Sequence, residues 1–507
     1  MGKYILAHDL GTTGNKATLY DREGNLLASS FYPYPTYYPY PNWVEQNPLD
    51  HWEAVKFSTQ ELLAKSKVKP QEIAVISFSG QMMGCLPVDR DGNPLRNIII
   101  WADQRGVKEA NLIRDRVGED KVYKITGHRI SPTYSASKIL WIRNNEPDIF
   151  TRTYKFLLAK DFIIYKLTGR WVTDFSDASG TNLFDLQRED WSAEIISSLG
   201  IPLEKLPEPH NSLDVVGELT SSSAEELGLV PGIPVVVGGG DGACAACGAG
   251  VIEEGDAYNY LGASSWIAIA SRRPVYDPRL RTFTFHHLEP GLFMPTGTMQ
   301  SAGLSYQWAR DNLAVREKEI ASSFNLSPYE IMDLEAEKIP PGCENLIFLP
   351  YLLGERSPHW NPSARGVFIG LTPRHTRVHL IRAVLEGVGF NLRIILDAFL
   401  MQGIEIREIR LIGGGGKSRL WAKILADIFE RDILRMEILE EATSLGSAIA
   451  GGVGVGIFPS LKVAKEIVKI KERVIPEESE MAVYKRIFPV FIDAYERLIP
   501  IFDKLGG

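Results

Sequence analysis

Twice in this chain, about half its length apart, a short apolar strand runs into a glycine-containing turn and emerges as a second strand. The first copy is Tyr4-Ile5-Leu6-Ala7, then Asp9-Leu10-Gly11-Thr12-Thr13-Gly14, then Lys16-Ala17-Thr18-Leu19-Tyr20. The second is Ala257-Tyr258-Asn259-Tyr260, then Leu261-Gly262-Ala263-Ser264-Ser265, then Trp266-Ile267-Ala268-Ile269-Ala270. Such a repeat restricts the fold, because each hairpin needs its own sheet and each sheet its own covering helices. At 507 residues the chain exceeds what one core organises, so two large α/β domains of similar topology are expected, facing each other. The acidic turn Glu253-Glu254-Gly255-Asp256 precedes the second copy and sets the boundary, with domains at 1–254 and 255–507.

Helical periodicity follows in the C-terminal half. Leu380, Val384, Val388, Leu392, Ile395 and Phe399 form one stripe, which predicts a long helix from about Val378 to Leu400. A second helix carries Leu420, Ile424, Leu425 and Ile428 on its inner face. In the N-terminal half, Asn47-Pro48 suits a helix start, since Asn caps and Pro tolerates the first turn. The formal net charge of −8, without any Lys/Arg-rich run, argues against nucleic acid or an anionic membrane as partner. No apolar run approaches the roughly 18 residues of a membrane span, and the first strand is too short for a signal peptide. Four cysteines imply no disulfide framework, so a reduced, cytoplasmic protein is expected.

The first turn carries chemistry as well as shape. Gly11 and Gly14 let backbone N–H groups converge on one space, where they can surround phosphate oxygens. Thr12 and Thr13 add hydroxyl donors, and Asp9 offers a carboxylate to Mg2+, directly or through water. An ordinary hairpin turn could use the same residues. The second turn offers Gly262, Ser264 and Ser265 as an opposing cradle, so that two domains could clamp a nucleotide's phosphates.

Three further motifs need sorting. Gly413-Gly414-Gly415-Gly416-Lys417-Ser418 invites a P-loop reading, but that pattern requires glycine where Leu411 stands. A glycine run after the strand-like Glu408-Ile409-Arg410-Leu411-Ile412 still leaves room for an adenine ring against bare backbone. Gly240-Asp241-Gly242-Ala243-Cys244-Ala245 mimics a dinucleotide fingerprint, yet a hairpin follows it instead of a clear βαβ unit with a ribose-binding acid. Cys244 and Cys247 form a CxxC with no second pair for zinc, and small residues packed under a helix explain them better.

Longer segments complete the pattern. Gly366-Val367-Phe368-Ile369-Gly370-Leu371, His379-Leu380 and Ala383-Val384-Leu385-Glu386 follow one another in the C-terminal half. Ser135, Lys138-Ile139, Trp141-Ile142 and Asn144-Asn145 do so in the N-terminal half, alongside Lys160-Asp161 and Pro350-Tyr351-Leu352-Leu353-Gly354-Glu355-Arg356-Ser357-Pro358. Together these resemble the FGGY carbohydrate kinases over nearly the whole chain, with Thr133 a departure at the first position of the N-terminal signature.

That resemblance implies two actin-like, ribonuclease-H-like domains around a cleft, and ATP-dependent phosphorylation of a sugar hydroxyl with ATP and Mg2+. It assigns Asp9, Gly11, Thr12 and Thr13 to the first phosphate motif, with Asp9 organising the metal. Gly262, Ser264 and Ser265 become the second phosphate motif, and Gly413, Gly414, Gly415 and Gly416 the adenosine motif. Asp241 takes the place of the catalytic base, although read alone it would serve as a plain helix N-cap. Sugar contacts are expected from Gln81, Met82, Met83, Asp103, Arg105, Asp241 and Gly242, with Trp101 nearby; Arg105 paired with Asp103 is the structural alternative. The motifs are nearest to xylulokinases, which implies D-xylulose ahead of L-ribulose or another ketose or polyol. Met83 replaces a usual His, Gly242 a common Asn, and Ala263 a frequent Thr. Homodimers are common among such proteins. An actin-like or chaperone-like ATPase switch shares the architecture, but it needs a partner-binding region that this chain leaves no room for.

Overall fold

The computed structural model describes residues 2–437 and 441–505. Its two principal sheets share one strand plan. In the N-terminal half the strands are β1 (Tyr4–Leu10), β2 (Gly14–Tyr20), β3 (Leu26–Pro33), β4 (Ile73–Gly80), β5 (Val215–Glu218) and β6 (Pro234–Gly240). They lie in the order β5-β6-β4-β1-β2-β3. The β1-β2-β3 meander is antiparallel, whereas β4 and β6 join parallel to β1. The second sheet repeats this with β7 (Ala257–Leu261), β8 (Ser265–Ile269), β9 (Phe283–His286), β10 (Phe293–Met299), β11 (Glu408–Ile412), β12 (Asp432–Met436) and β13 (Ile470–Val474), ordered β9-β10-β8-β7-β11-β12-β13. Here β7, β8 and β10 form the antiparallel meander, and β11 and β12 run parallel to β7. This is the two-domain actin-like α/β fold, with a cleft between its halves.

Strand periodicity decides which core each side chain joins. Leu6 and Leu10 of β1 face a core covered by α1 (Pro48–Ser66) and α2 (Ala159–Thr168), while Ile5 and Ala7 face the opposite way. The short helix α3 (Phe175–Ser179) follows α2, and α4 (Asp241–Gly248) leaves the end of β6. In the second half, α5 (Gly303–Asn312), α6 (Pro328–Ala336), α7 (Arg377–Met401) and α8 (Arg419–Phe429) build their own core around Leu261, Ile409 and Ile433. Asn47 caps α1 by accepting the Leu49 N–H, as its position before Pro48 predicts. The long helix α7 departs from the expected single stripe: it is buried nearly all round, and Glu386 binds Arg382, Tyr484 and the Gly342 N–H inside the core.

The expected boundary at 254/255 separates the sheets but not the packing. Helix α9 (Ala442–Gly454) comes from the C-terminal half and lies against β1, β4 and β6 of the N-terminal sheet. Together α4 and α9 fill the space between the two sheets. Ile5, Val75 and Val236 meet them from one side, and Tyr258, Ala268 and Leu434 from the other. Burying Ile5, Val75, Val236, Leu434, Leu445 and Ile449 contributes on the order of 10 kcal/mol, comparable to the net stability of a whole domain. The two helices cross backbone to backbone. A Cβ on Gly248 would stand 1.8 Å from the Ala442 carbonyl oxygen, and one on Gly446 would stand 1.9 Å from that of Cys244. Cys244 and Cys247 are buried and free in this crossing, as small packing residues. Among the described residues no helix is long and apolar enough to cross a membrane.

Candidate active site

The first turn hangs between β1 and β2 and is held from below. Gly11 N–H closes it on the Gly14 carbonyl at 3.1 Å, Tyr34 donates to the Gly11 carbonyl, and Gln46 donates to that of Thr12 at 2.6 Å. Trp101 donates its indole N–H to Thr12 Oγ1 at 3.0 Å, tying the turn to an aromatic wall. Asp9, half-buried, is the last residue but one of β1; desolvation holds its carboxyl above the usual range, against the pull of the Ser79 hydroxyl and Lys16. Lys16 also pairs with Glu441 at the start of α9 across 3.1 Å, so an ion pair joins the halves beside the turn.

The second turn forms part of the walls of two cavities. On one side lies a cavity of about 180 Å3 reached by Ser264, Trp101, Asp241, Gly242 and Arg356. On the other is a cavity of about 450 Å3 reached by Gly262, Ala263, Gly414, Gly415, Asp333 and Trp421. Ser264 offers its side chain to the smaller cavity. Ser265 reaches the wall too, but its hydroxyl donates to the Tyr260 carbonyl at 2.6 Å and is not free for phosphate. Of the glycine run, Gly413 turns at φ 84°, and a Cβ on Gly415 would strike Leu261 at 2.5 Å, so close approach to β7 requires the missing side chains. Gly416 is buried with its carbonyl bound to Arg435, leaving Gly414 and Gly415 to face the larger cavity. Sequence reading missed the far wall there: Tyr306 donates to Asp333 at 2.7 Å, and burial holds that carboxyl above the usual range.

Asp241 opens α4 on the floor of the smaller cavity. It is not the N-cap, a position that Gly240 takes. The side chain is open to cavity water, yet protein surrounds the cavity. That enclosure, followed by the neighbouring Asp9 carboxylate, pushes its pKa up to about 7, while the Gly242 N–H at 2.7 Å pulls the other way. A carboxylate so tuned can take a proton near neutral pH. The rate should report it: kcat/KM is expected to fall as a single proton is added below about pH 7 and to level off above, read from a pH–rate profile.

Met82 and Met83 line the same cavity, and Met83 sits at φ 63°. Lys138, from the N-terminal signature, holds that unusual backbone by donating to the Met83 carbonyl at 2.7 Å and that of Thr133 at 2.6 Å. Three expected sugar contacts are not brought to the wall. Gln81 is buried and donates to Gln46, which holds the first turn. Asp103 and Arg105 are fully buried as a pair at 2.8 Å, and the guanidinium also meets Glu45 at 2.7 Å while stacking on Trp43 and Trp141. Direct contact thus gives way to support, because the pair closes on itself beneath the loop that presents Trp101. Sequence reading also missed Tyr134, Trp266, Phe285 and Trp360, whose apolar faces suit the C–H faces of a sugar. Among the described residues no group of three or more His, Cys, Asp or Glu could hold a metal alone. Asp9 is a hard oxygen donor beside a phosphate-sized turn, which fits Mg2+ shared with phosphate oxygens.

Comparison with known proteins agrees with this geometry. Residues 4–248 match the N-terminal domain of the FGGY family of carbohydrate kinases, and residues 257–455 match its C-terminal domain. The chain is 32% identical to a xylulose kinase of Bacillus subtilis over 97% of each chain. It is also 32% identical to a gluconokinase of the same organism, over 97% of this chain and 96% of that one. A xylulose kinase and a gluconate kinase from Lactobacillus acidophilus each superpose with a TM-score of 0.92 at 29% identity, covering 99% of both chains.

Proposed function

The chain belongs to the FGGY family of carbohydrate kinases and is an ATP-dependent sugar kinase; from that premise we propose that it phosphorylates a five-carbon ketose, D-xylulose first. The observation that carries the mechanism is the placing of Asp241, a carboxylate poised near pH 7 on the floor of a sugar-sized cavity whose wall is the second turn. Asp241 accepts the proton of the attacking hydroxyl as its oxygen bonds to the γ-phosphorus and the bond to ADP breaks. Such transfers pass through a loose transition state, so aim and charge stabilisation outweigh basicity. Thr12 and Thr13 of the first turn and Ser264 of the second would donate to the phosphates from the two halves, and the larger cavity, lined by Gly414 and Gly415, would take the adenosine. Asp9 would hold Mg2+, which when bound would supply positive charge against the nucleotide's phosphates. Trp101 and Trp360 from the two halves cover the sugar and exclude water, which competes for the phosphoryl group.

A second reading, a sugar acid such as D-gluconate, is favoured by Arg356. Its guanidinium lines the sugar cavity, bonds to Gln300 at 3.0 Å and has no ion-pair partner among the described residues. The adjacent Glu355 does not balance it: burial pushes that carboxyl up to about 8, so it is largely neutral at pH 7. Met83 also withholds the imidazole expected for D-xylulose. ADP release from MgATP with D-xylulose, L-ribulose, D-gluconate and glycerol, against a sugar-free control, decides between them. The pentulose reading expects kcat/KM for D-xylulose to exceed that for D-gluconate by at least about tenfold. The reverse order would replace it with the sugar-acid reading.

A further inference from the structure

Beneath Asp241 lies a buried polar chain that the phosphoryl-transfer steps do not use. The N–H of Gly240, the residue just before Asp241, donates to Ser176 Oγ at 2.9 Å. The Ser176 hydroxyl in turn donates to Asp174 Oδ2 at 2.5 Å. That oxygen also accepts the Ser176 N–H at 2.8 Å and the Ser212 hydroxyl at 2.8 Å. The other oxygen of Asp174 pairs with Lys160 Nζ at 3.0 Å. Lys160 further meets Asp161 at 3.4 Å and Asp177 at 3.6 Å, and all four titratable side chains are fully excluded from solvent.

We propose that Ser176, Asp174 and Lys160 are positioning residues that fix the peptide ahead of Asp241 and so aim its carboxylate. The inference rests on reading Asp241 as the base. Three features point to aim rather than to stability alone. First, burying one lysine with three carboxylates is a costly way to hold a fold, and apolar replacements of equal volume often do as well or better. Second, the chain has a direction. A serine hydroxyl has one proton, and here it goes to Asp174, which leaves the oxygen to accept from Gly240. Third, the strand is cut back to admit the chain. A Cβ on Gly80 would stand 2.7 Å from Lys160 Cβ, and one on Gly239 would stand 2.9 Å from Ser176 Oγ. Gly80 and Gly240 are register partners on β4 and β6, so the cluster is pressed against the strand ends that lead to the site.

Steady-state kinetics of Ser176→Ala and Ser176→Cys in the full chain, with MgATP and the best sugar of the panel, test this. Well below the thermal midpoint, Ser176→Ala should lose roughly tenfold in kcat while both KM values stay within about twofold. Ser176→Cys keeps a weaker acceptor of similar size and should recover part of the loss. In an Asp241→Asn background Ser176→Ala should cost nothing more, because the hydroxyl acts only through that carboxylate. If Ser176→Ala does not fold, Asp174→Asn takes its place with the same expectations. Unchanged kcat in the single variant, or an equal loss in both backgrounds, overturns the proposal. Near-normal turnover of Asp241→Asn alone would instead refute the base assignment on which it rests.

Discussion

Asp241→Asn is expected to lower kcat by about two to four orders of magnitude, the usual range for removing a placed acid or base, with little change in the KM for ATP. The amide is nearly isosteric and keeps an oxygen to accept the Gly242 N–H, so the start of α4 should hold its shape. What disappears is the carboxylate proposed to take the proton. The same substitution should raise stability. Asp241 binds its proton more tightly in the folded protein, near 7 against an ordinary 3.8, so its favourable contribution is complete below the unfolded value. That contribution is lost as pH rises from about 4 through about 7. The variant should therefore melt above the parent at pH 8 and beside it near pH 4, as thermal scans at the two values would show. Equal melting at pH 8 would mean that the carboxylate is not strained by its surroundings.

Gly446→Ala should damage both stability and turnover through one added carbon. Its Cβ would stand 1.9 Å from the Cys244 carbonyl oxygen and 3.0 Å from Cys244 Cα, all of it backbone that no rotamer can move aside. To reach ordinary contact, α4 and α9 must part by about 1.5 Å. Overpacking of this kind costs about 1–3 kcal/mol. Because α4 begins with Asp241, the shift would also misaim the proposed base, and misplacement by about 1 Å can cost on the order of a hundredfold in rate. Gly414→Ala is the control for stability, since its Cβ would meet nothing within 4 Å. Chemical denaturation and kcat, measured on both variants, check the pair. A Gly446→Ala protein as stable and active as the parent would show the crossing to be loose.

The halves of the fold were legible because their signals are local. A strand, a turn and a strand can be read from alternation and glycine, and β1-β2 and β7-β8 lie where those signals put them. The existence of α7 and the Asn47 cap are likewise decided within a few residues, whereas the all-round burial of α7 is not. What stayed hidden depends on contacts far apart in sequence. Nothing in Ala442–Gly454 announces that it will lie on a sheet whose strands are all more than two hundred residues upstream. The site divides in the same way. The glycine turns, with Asp9 beside the first, were marked by backbone needs that glycine advertises, whereas Asp241 was marked through the family resemblance. Trp360, Tyr134 and Phe285 are ordinary aromatics until the chain closes around a cavity. Asp103 and Arg105 show the opposite hazard: polar residues near a motif look ready for substrate, and only the buried pair at 2.8 Å shows them bound to each other.

The crossing of α4 and α9 also bears on how this protein can be taken apart. A chain with two sheets invites severing at 254/255 into two soluble pieces. The N-terminal piece would then leave Ile5, Val75 and Val236 without the α9 residues Leu445 and Ile449 that cover them, a greasy face at the centre of its sheet. The C-terminal piece would carry α9 with nothing to lie on. Each half therefore finishes the other's core, and neither is expected to stand as a module that could be shuffled or borrowed alone.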